Sequence, residues 1–133
     1  MARKRGRTWH HGLDVVGLRF RVKKATRQEL AALMDKSGEI KGIKLIREPE
    51  NPMDPNAIAV FLPQRVFHGM QIGYLRSASA ELLAPKMDSG YLTVVSAQLI
   101  SLYSDDDWNS GELSIIFRDN PLVPTKKGAK PSS

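Results

Sequence analysis

The fold is decided by the stretch Arg47-Glu48-Pro49-Glu50-Asn51-Pro52-Met53-Asp54-Pro55-Asn56-Ala57-Ile58-Ala59-Val60. Its first part contains three prolines. A proline fixes φ, lacks an N–H and pushes the preceding residue out of the helical region. Residues 57–62 form a short apolar run typical of a strand, and residues 42–46 have the same character. The stretch therefore predicts two adjacent strands joined by a stiff polar loop that projects Asn51, Met53 and Asp54.

Two interpretations of this loop are open on the residues alone. Stiff loops held by rigid strands often carry binding groups. Alternatively, Asn51 and Asp54 bond their own backbone, as these residue types commonly do in turns, and the loop only connects two strands.

The pattern Arg-Glu-Pro-x-Asn-Pro-x-Asp-x-Asn-Ala-Ile-x-Val at residues 47–60, followed by Ile72-Gly73-Tyr74-Leu75, resembles the HIRAN domain family. The similarity starts at residues 15–20, continues to Asp88 and fades after Gly90. Members of the family occur at the N-terminus of eukaryotic SWI2/SNF2-type helicases and as small stand-alone bacterial and phage proteins, and this chain resembles the stand-alone type. The resemblance implies an OB-like β-barrel.

Composition narrows the class of protein. At 133 residues the chain is expected to form one domain, and without cysteine it has neither a disulfide framework nor a thiolate metal site. With only three histidines we expect no zinc site, no apolar run approaches a membrane span and no signal peptide follows the basic start. We expect a soluble monomer in the cytoplasm that uses no metal or other cofactor. In a bacterium, association with the nucleoid is an option that fits the basic charge.

The net charge of +6 is concentrated near the N-terminus. Residues 1–24 contain eight Lys and Arg against the single acid Asp14. A basic segment of this kind usually binds polyanions, most often nucleic acid, although a solubilising tail is the alternative. We predict a basic flexible arm over residues 1–12, a β-barrel domain over 13–118 and a disordered tail over 119–133.

The remaining patterns predict about six strands and two short helices, so the fold class is mainly β, a small OB-like barrel. Alternation over residues 13–22 predicts a strand with Phe20 on the core side and with Arg19 and Arg21 outside. A capping box at residues 26–29 predicts the first helix, and residues 77–87 predict the second, ended or kinked at Pro85.

Barrels of this type bind single strands with a cationic groove and with side chains that stack on bases. Arg19, Arg21 and Arg76 are candidate cations, and Phe20, Tyr74 and Tyr103 are candidate stacking groups. The resemblance further implies recognition of the 3′ end of single-stranded DNA, with the Asp54 carboxylate accepting a hydrogen bond from the 3′-hydroxyl. In that scheme, phosphates or base edges contact Arg19, Asn51 and Arg76.

Two positions depart from the helicase-type members, which have a tyrosine at the position of Met53 and a lysine at that of Ser77. The candidate cations, the candidate stacking groups and the positions carried over from the resemblance together form the predicted nucleic-acid site. Its residues are Arg19, Phe20, Arg21, Asn51, Met53, Asp54, Tyr74, Arg76, Ser77 and Tyr103.

No residue pattern indicates catalysis, because Glu48 and Asp54 lack the partners that acid–base or two-metal chemistry requires. We predict a binding module that acts in DNA repair or replication-fork processing, with a helicase or nuclease as a candidate partner. The main alternative is a protein–protein adaptor that recruits such an enzyme without binding DNA ends. A phage accessory protein that kept the fold and lost end recognition is a third.

Overall fold

The computed structural model describes residues 7–102 and 110–121, and this part of the chain contains one seven-stranded antiparallel sheet. The strands are β1 Thr8–Val16, β2 Ile40–Lys41, β3 Lys44–Arg47, β4 Ile58–Phe61, β5 Gln71–Leu75, β6 Leu92–Leu102 and β7 Ser110–Asp119. The helices are α1 Leu18–Arg21, α2 Lys24–Ser37 and α3 Ser77–Asp88, with a 3₁₀ turn at Phe67–Gly69. The strand order is β2-β6-β7-β1-β5-β4-β3.

The order of the strands requires the sheet to curl. β2 and β3 lie at opposite edges of the sheet, yet only Gly42 and Ile43 separate them in the chain. The two edges therefore meet, and the N–H of Ile43 donates to the carbonyl of Ala97 in β6 at 3.0 Å. The result is a half-barrel, which confirms the predicted mainly β, OB-like class. The described residues contain one strand and one helix more than predicted.

The core lies inside the curled sheet and under α2 and α3. In β7 the alternation is clear, because Leu113, Ile115 and Phe117 are buried whereas Ile116 and Arg118 are exposed. Burial of each such side chain contributes roughly 1.5–3 kcal/mol to folding. The helices add buried side chains to the same cluster, namely Leu18, Leu30, Ala80 and Ala84.

The predicted strand over residues 13–22 is wrong in its bounds. β1 ends at Val16, and Gly17 takes a φ of +83°, after which the chain enters α1. That backbone conformation is readily adopted only by glycine. Leu18 and Val22, which alternation placed in a strand, are instead buried four residues apart in and just after a helical turn. Phe20 was predicted to face the core, but its side chain is 76% exposed.

The first and the last strand in the chain both extend beyond the predicted bounds of the domain. β1 begins at Thr8, so residues 8–12 pair with β7 although they were predicted as part of the arm. β7 ends at Asp119, where the tail was predicted to begin. The N–H of Arg7 donates to the Asp119 carboxylate at 2.7 Å, and this hydrogen bond lowers the pKa of Asp119. The rest of the predicted arm and tail, residues 1–6 and 122–133, lies outside the described residues.

The helix ends also differ from prediction. α2 begins at Lys24, so Thr26 lies inside the helix and forms no capping box. α3 continues through Pro85 to Asp88, one residue beyond its predicted end, and its N-cap residue is Arg76. Pro85 removes one helical hydrogen bond and its ring crowds the carbonyl four residues earlier, but the helix continues for only three residues beyond it. No helix in residues 7–102 or 110–121 is long and apolar enough to cross a membrane.

Gly73 in β5 allows a close backbone contact. A Cβ atom at this position would lie 2.3 Å from the carbonyl oxygen of Val16. Real Cβ atoms do not approach an oxygen so closely, and backbone cannot move aside as a flexible side chain can. Gly73 therefore lets β5 pack against the end of β1, where the chain turns into α1.

We expect Gly73→Ala to destabilise the fold by roughly 1–3 kcal/mol, the usual cost of overpacking a core. Gly12→Ala is the matched control, because a Cβ there would meet the Glu112 carboxylate at an ordinary 3.5 Å and should change stability by less than about 0.5 kcal/mol. Urea unfolding followed by circular dichroism measures both. Equal midpoints for the two variants would contradict the assignment of Gly73.

Candidate nucleic-acid interface

Asn51 holds the loop between β3 and β4 from within. Its amide oxygen accepts the N–H groups of Met53 at 2.8 Å and Asp54 at 3.1 Å, and its amide nitrogen donates to the Glu48 carboxylate at 2.9 Å. The interpretation that Asn51 bonds its own backbone is therefore confirmed. Since both ends of the amide are engaged in the loop, Asn51 shapes the loop rather than presenting an unused polar group.

Arg47 fastens the same loop to α3. Its guanidinium donates to both oxygens of Asp88, at 2.7 and 2.9 Å, to the Ala57 carbonyl at 2.7 Å and to the Pro55 carbonyl at 2.9 Å. The side chain is only 13% exposed, and the hydrogen bond with Asp88 is the main cause that raises the pKa of Arg47. Sequence reasoning missed this clamp, because Asp88 lies 41 residues further along the chain.

Asp54 is half-buried and held in one position by the turn that follows it. One carboxylate oxygen accepts the N–H of Asn56 at 2.9 Å, and the Asp54 carbonyl accepts the N–H of Ala57 at 3.0 Å. Within residues 7–102 and 110–121, the other carboxylate oxygen has no hydrogen-bond partner. The carboxylate therefore retains an acceptor for a ligand while its position is set by the backbone.

A groove of about 630 Å³ lies between this loop, β5 and the start of α3. Seven of the predicted site residues line it, and they are Arg21, Asn51, Met53, Asp54, Tyr74, Arg76 and Ser77. The sequence did not predict four further lining residues, Val16, Ala57, Leu75 and Ser110. Arg19 and Phe20 lie on α1 beside Arg21 but do not line the groove, and Tyr103 lies outside the described residues.

Tyr74 links α1 to the loop across the groove. Its hydroxyl donates to the Glu48 carboxylate at 2.9 Å and accepts a hydrogen bond from Arg21 at 3.1 Å. The Arg21 guanidinium also lies 5.2 Å from the centre of the Tyr74 ring, within the range of a cation–π interaction. This arrangement places a planar cation and an aromatic ring together on the groove wall. No local pattern indicated Glu48 as the partner of Tyr74.

The charged groups of the groove are accessible. Arg76 pairs with Asp14 at 2.9 Å, but the two side chains are 54% and 34% exposed. Exposed ion pairs are worth only about 0–1 kcal/mol, so a phosphate can compete for Arg76. Asp54 is the single acid among the lining residues that the structure describes. The described residues contain no group of three or more potential metal ligands.

Two large apolar side chains are exposed in the segments that border the groove, one in the lining and one next to the lining residue Arg21. Met53 at the tip of the loop is 91% exposed, and Phe20 on α1 is 76% exposed. The Arg19 guanidinium lies 5.0 Å from the centre of the Phe20 ring. Exposed apolar groups next to cations are the combination that binds bases and phosphates of a single strand.

Comparison with known proteins places the chain in context. The sequence matches the model of the HIRAN domain over residues 10–116. No curated protein matches it. The structure is similar to that of the HIRAN domain of human HLTF, with a TM-score of 0.60, 23% identity and coverage of 85% of this chain and 78% of that one. It is also similar to a protein from Lactobacillus plantarum, with a TM-score of 0.56, 22% identity and coverage of 86% and 99%.

We expect Arg47→Lys to loosen the loop while the sheet stays intact, because a lysine cannot form the forked set of hydrogen bonds. Hydrogen exchange of the Asn51 and Ala57 amides should become faster, and exchange in β6 and β7 should not change. Asp88→Asn is the control, since it leaves the bonds from Arg47 to the two carbonyls and should have a smaller effect. Unchanged protection of both loop amides in Arg47→Lys would contradict the role of the clamp.

Proposed function

The chain belongs to the HIRAN domain family, whose members are DNA-binding modules, and we propose that it recognises the free 3′-hydroxyl end of single-stranded DNA. The observation that carries this proposal is the convergence of one fixed carboxylate, two exposed arginines and a tyrosine in a single groove. The groove joins cations and an aromatic ring, which single-strand binding requires, to one acceptor that can report the chemistry of a strand end.

In this proposal the Asp54 carboxylate distinguishes a 3′-hydroxyl end from a 3′-phosphate end. A carboxylate accepts a hydrogen bond from a 3′-hydroxyl, and a hydrogen bond to a charged group is worth about 1.5–3 kcal/mol. A 3′-phosphate instead brings negative charge against the carboxylate and lacks the hydroxyl donor. Because the Asn56 N–H fixes the carboxylate, little order has to be gained on binding.

The groups around Asp54 fit the rest of a terminal nucleotide. Arg21 and Arg76 are placed to contact phosphates, and Ser77 begins α3, so N–H groups of its first turn add positive potential on the same side. Tyr74 and Met53 offer apolar surface to bases. In this scheme Asn51 acts by shaping the loop, while Arg19 and Phe20 extend the surface beyond the groove.

Recognition of a free 3′ end also suggests the cellular process in which the protein acts. Free 3′ ends are exposed in DNA repair and at processed replication forks, so we assign the protein to these processes. A helicase or nuclease that acts on such an end is a fitting partner, because the HIRAN domain itself is a binding domain. The chain would then select the DNA structure, and the partner would carry out the reaction.

We expect Asp54→Asn to reduce the preference for a 3′-hydroxyl over a 3′-phosphate by about tenfold or more, the fold-change that corresponds to loss of a charge-assisted hydrogen bond. Asparagine keeps an oxygen for the Asn56 N–H, so the loop should retain its shape. Glu50→Gln is the matched control, because it removes one negative charge from the same loop at an exposed position outside the groove. Fluorescence anisotropy at fixed low salt, with a short DNA carrying either end and a circular control, measures the preference.

The three probes separate the alternatives. A preference for the free end that Asp54→Asn reduces and Glu50→Gln retains supports an end reader. Equal binding of all three DNAs would leave a basic single-strand module without end recognition. Absence of binding to any of them would favour a protein–protein adaptor.

A second expectation concerns affinity rather than specificity. Met53→Tyr should tighten binding of the 3′-hydroxyl DNA by about tenfold, since base stacking on an aromatic side chain is worth roughly 1–3 kcal/mol. Met53→Leu keeps an apolar group of similar size and should bind as the unmodified protein does. The same anisotropy titrations measure both variants. If the tyrosine variant binds no more tightly than the leucine variant, Met53 does not contact a base.

A further inference from the structure

A second groove, of about 400 Å³, lies between the outer part of β1 and α3. Most of its lining is apolar or aromatic, with Trp9 and Leu13 from β1, Leu82 and Leu83 from α3 and Tyr91 just before β6. Leu82 is 70% exposed, which is unusual for a leucine on a packed helix. Arg7 and Lys86 are also part of the lining, which in full is Arg7, Trp9, His11, Leu13, Ser79, Leu82, Leu83, Lys86, Tyr91 and Leu92.

The charge of this second groove favours an anion. None of its described lining residues is acidic, whereas a further depression near α2 is lined by Asp35 and Glu39. The nearby acid Asp119 is buried and already bonded, because Arg7 donates to it from the backbone at 2.7 Å and from the guanidinium at 3.5 Å. The Tyr91 hydroxyl also donates to it at 3.5 Å. Asp119 therefore orients Arg7 and Tyr91, and its negative charge is balanced by the Arg7 guanidinium. Lys86 then gives the described lining a net positive charge.

Both ends of the described chain lie beside the second groove. The N–H of Asp119 donates to the Arg7 carbonyl, and the N–H of Asn120 donates to the carbonyl of Tyr91. The segments that precede Arg7 and follow Pro121 are thus attached beside the groove. Residues 1–6 contain three cations and no acid, as do residues 122–133, so these two segments account for the whole net charge of +6.

We propose that the second groove binds single-stranded DNA at a site separate from the groove at Asp54. Bases would pack on Trp9 and Tyr91, while phosphates would contact Arg7 and Lys86. Cations combined with aromatic side chains are the combination used by proteins that bind single strands irrespective of sequence. The proposal rests on the proposed function for the class of ligand, and circular DNA, which has no 3′ end, tests this groove separately from end recognition.

The two grooves use different faces of the same elements. Val16 lines the groove at Asp54 and Trp9 lines the second groove, and because they are seven residues apart their side chains point to opposite faces of β1. Ser77 lines the first groove and Lys86 the second, and nine residues place them on opposite faces of α3. The second groove is therefore a separate binding surface.

Trp9 provides a direct probe of occupancy. The chain contains two tryptophans, so Trp108→Phe leaves Trp9 as the only one. Titration of this variant with circular single-stranded DNA, which has no 3′ end, should quench the tryptophan fluorescence because bases stack on the indole. Combining it with Asp54→Asn should leave the quenching unchanged, which separates this site from end recognition.

A charge variant tests the phosphate contact. Lys86→Gln should weaken binding of circular DNA several-fold and reduce the slope of log affinity against log salt by about one, the effect of losing one phosphate contact. Lys36→Gln is the matched control, because Lys36 is likewise exposed in the last turn of a helix but lies outside the groove. It should change neither quantity by as much.

Three results would overturn the proposal. The first is unquenched Trp9 fluorescence in the presence of circular DNA that binds by anisotropy. The second is an equal effect of Lys86→Gln and Lys36→Gln. The third is equal quenching by a polyglutamate peptide carrying apolar residues, which would assign the groove to an acidic protein segment. If Asp54→Asn abolishes the end preference while Trp9 stays unquenched, the proposed function stands and this extension fails.

Discussion

The clamp formed by Arg47 is the interaction on which the candidate site depends. Arg47 is the last residue of β3. Its guanidinium donates to the carbonyls of Pro55 and Ala57, at the end of the loop between β3 and β4, and to Asp88 in α3. A loop with three prolines has few backbone conformations to lose, but prolines alone do not orient it against the barrel. The planar, always charged fork of arginine can satisfy several acceptors at fixed angles, which a lysine cannot. Asp54 and Met53 therefore project from a loop whose position is set before any ligand arrives.

Locally encoded features could be predicted from the sequence, and features that depend on distant partners could not. The loop and its flanking strands are specified by prolines and by Asn51, whose bonds span at most three residues. The strand over residues 13–22 was wrong because Leu18 and Val22 fit either a strand or a helical turn, and Gly17 decides between them. The pairing of Arg47 with Asp88, and that of Glu48 with Tyr74, joins residues that only the curled sheet brings together. The lining of the site was thus largely predictable, while its mechanical support was not.

Two of the six large apolar side chains that are exposed in the described residues line a groove. Met53 lines the groove at Asp54 and Leu82 the second groove, while Phe20 precedes the lining residue Arg21 in α1. Single exposed apolar residues are ordinary, but those placed beside arginines and aromatic rings mark a surface that another molecule covers. The correction of Phe20 from a core residue to an exposed one strengthens this interpretation, because a buried Phe20 could not contribute to a binding surface.

The residues that supply the net positive charge of this chain are not the residues that line its grooves. Residues 7–121 carry as many acidic as basic side chains, so the long-range field comes from residues 1–6 and 122–133. Charge of this kind raises the rate of encounter and is screened by salt, whereas contacts inside a groove determine how long the complex persists. Arg76 in the groove and Arg47 in the clamp do not add to the net field, because they are balanced by Asp14 and Asp88. A phosphate that displaces Asp14 from Arg76 exchanges one ion pair for another, so any selectivity between strand ends has to come from the fixed Asp54 carboxylate rather than from Arg76.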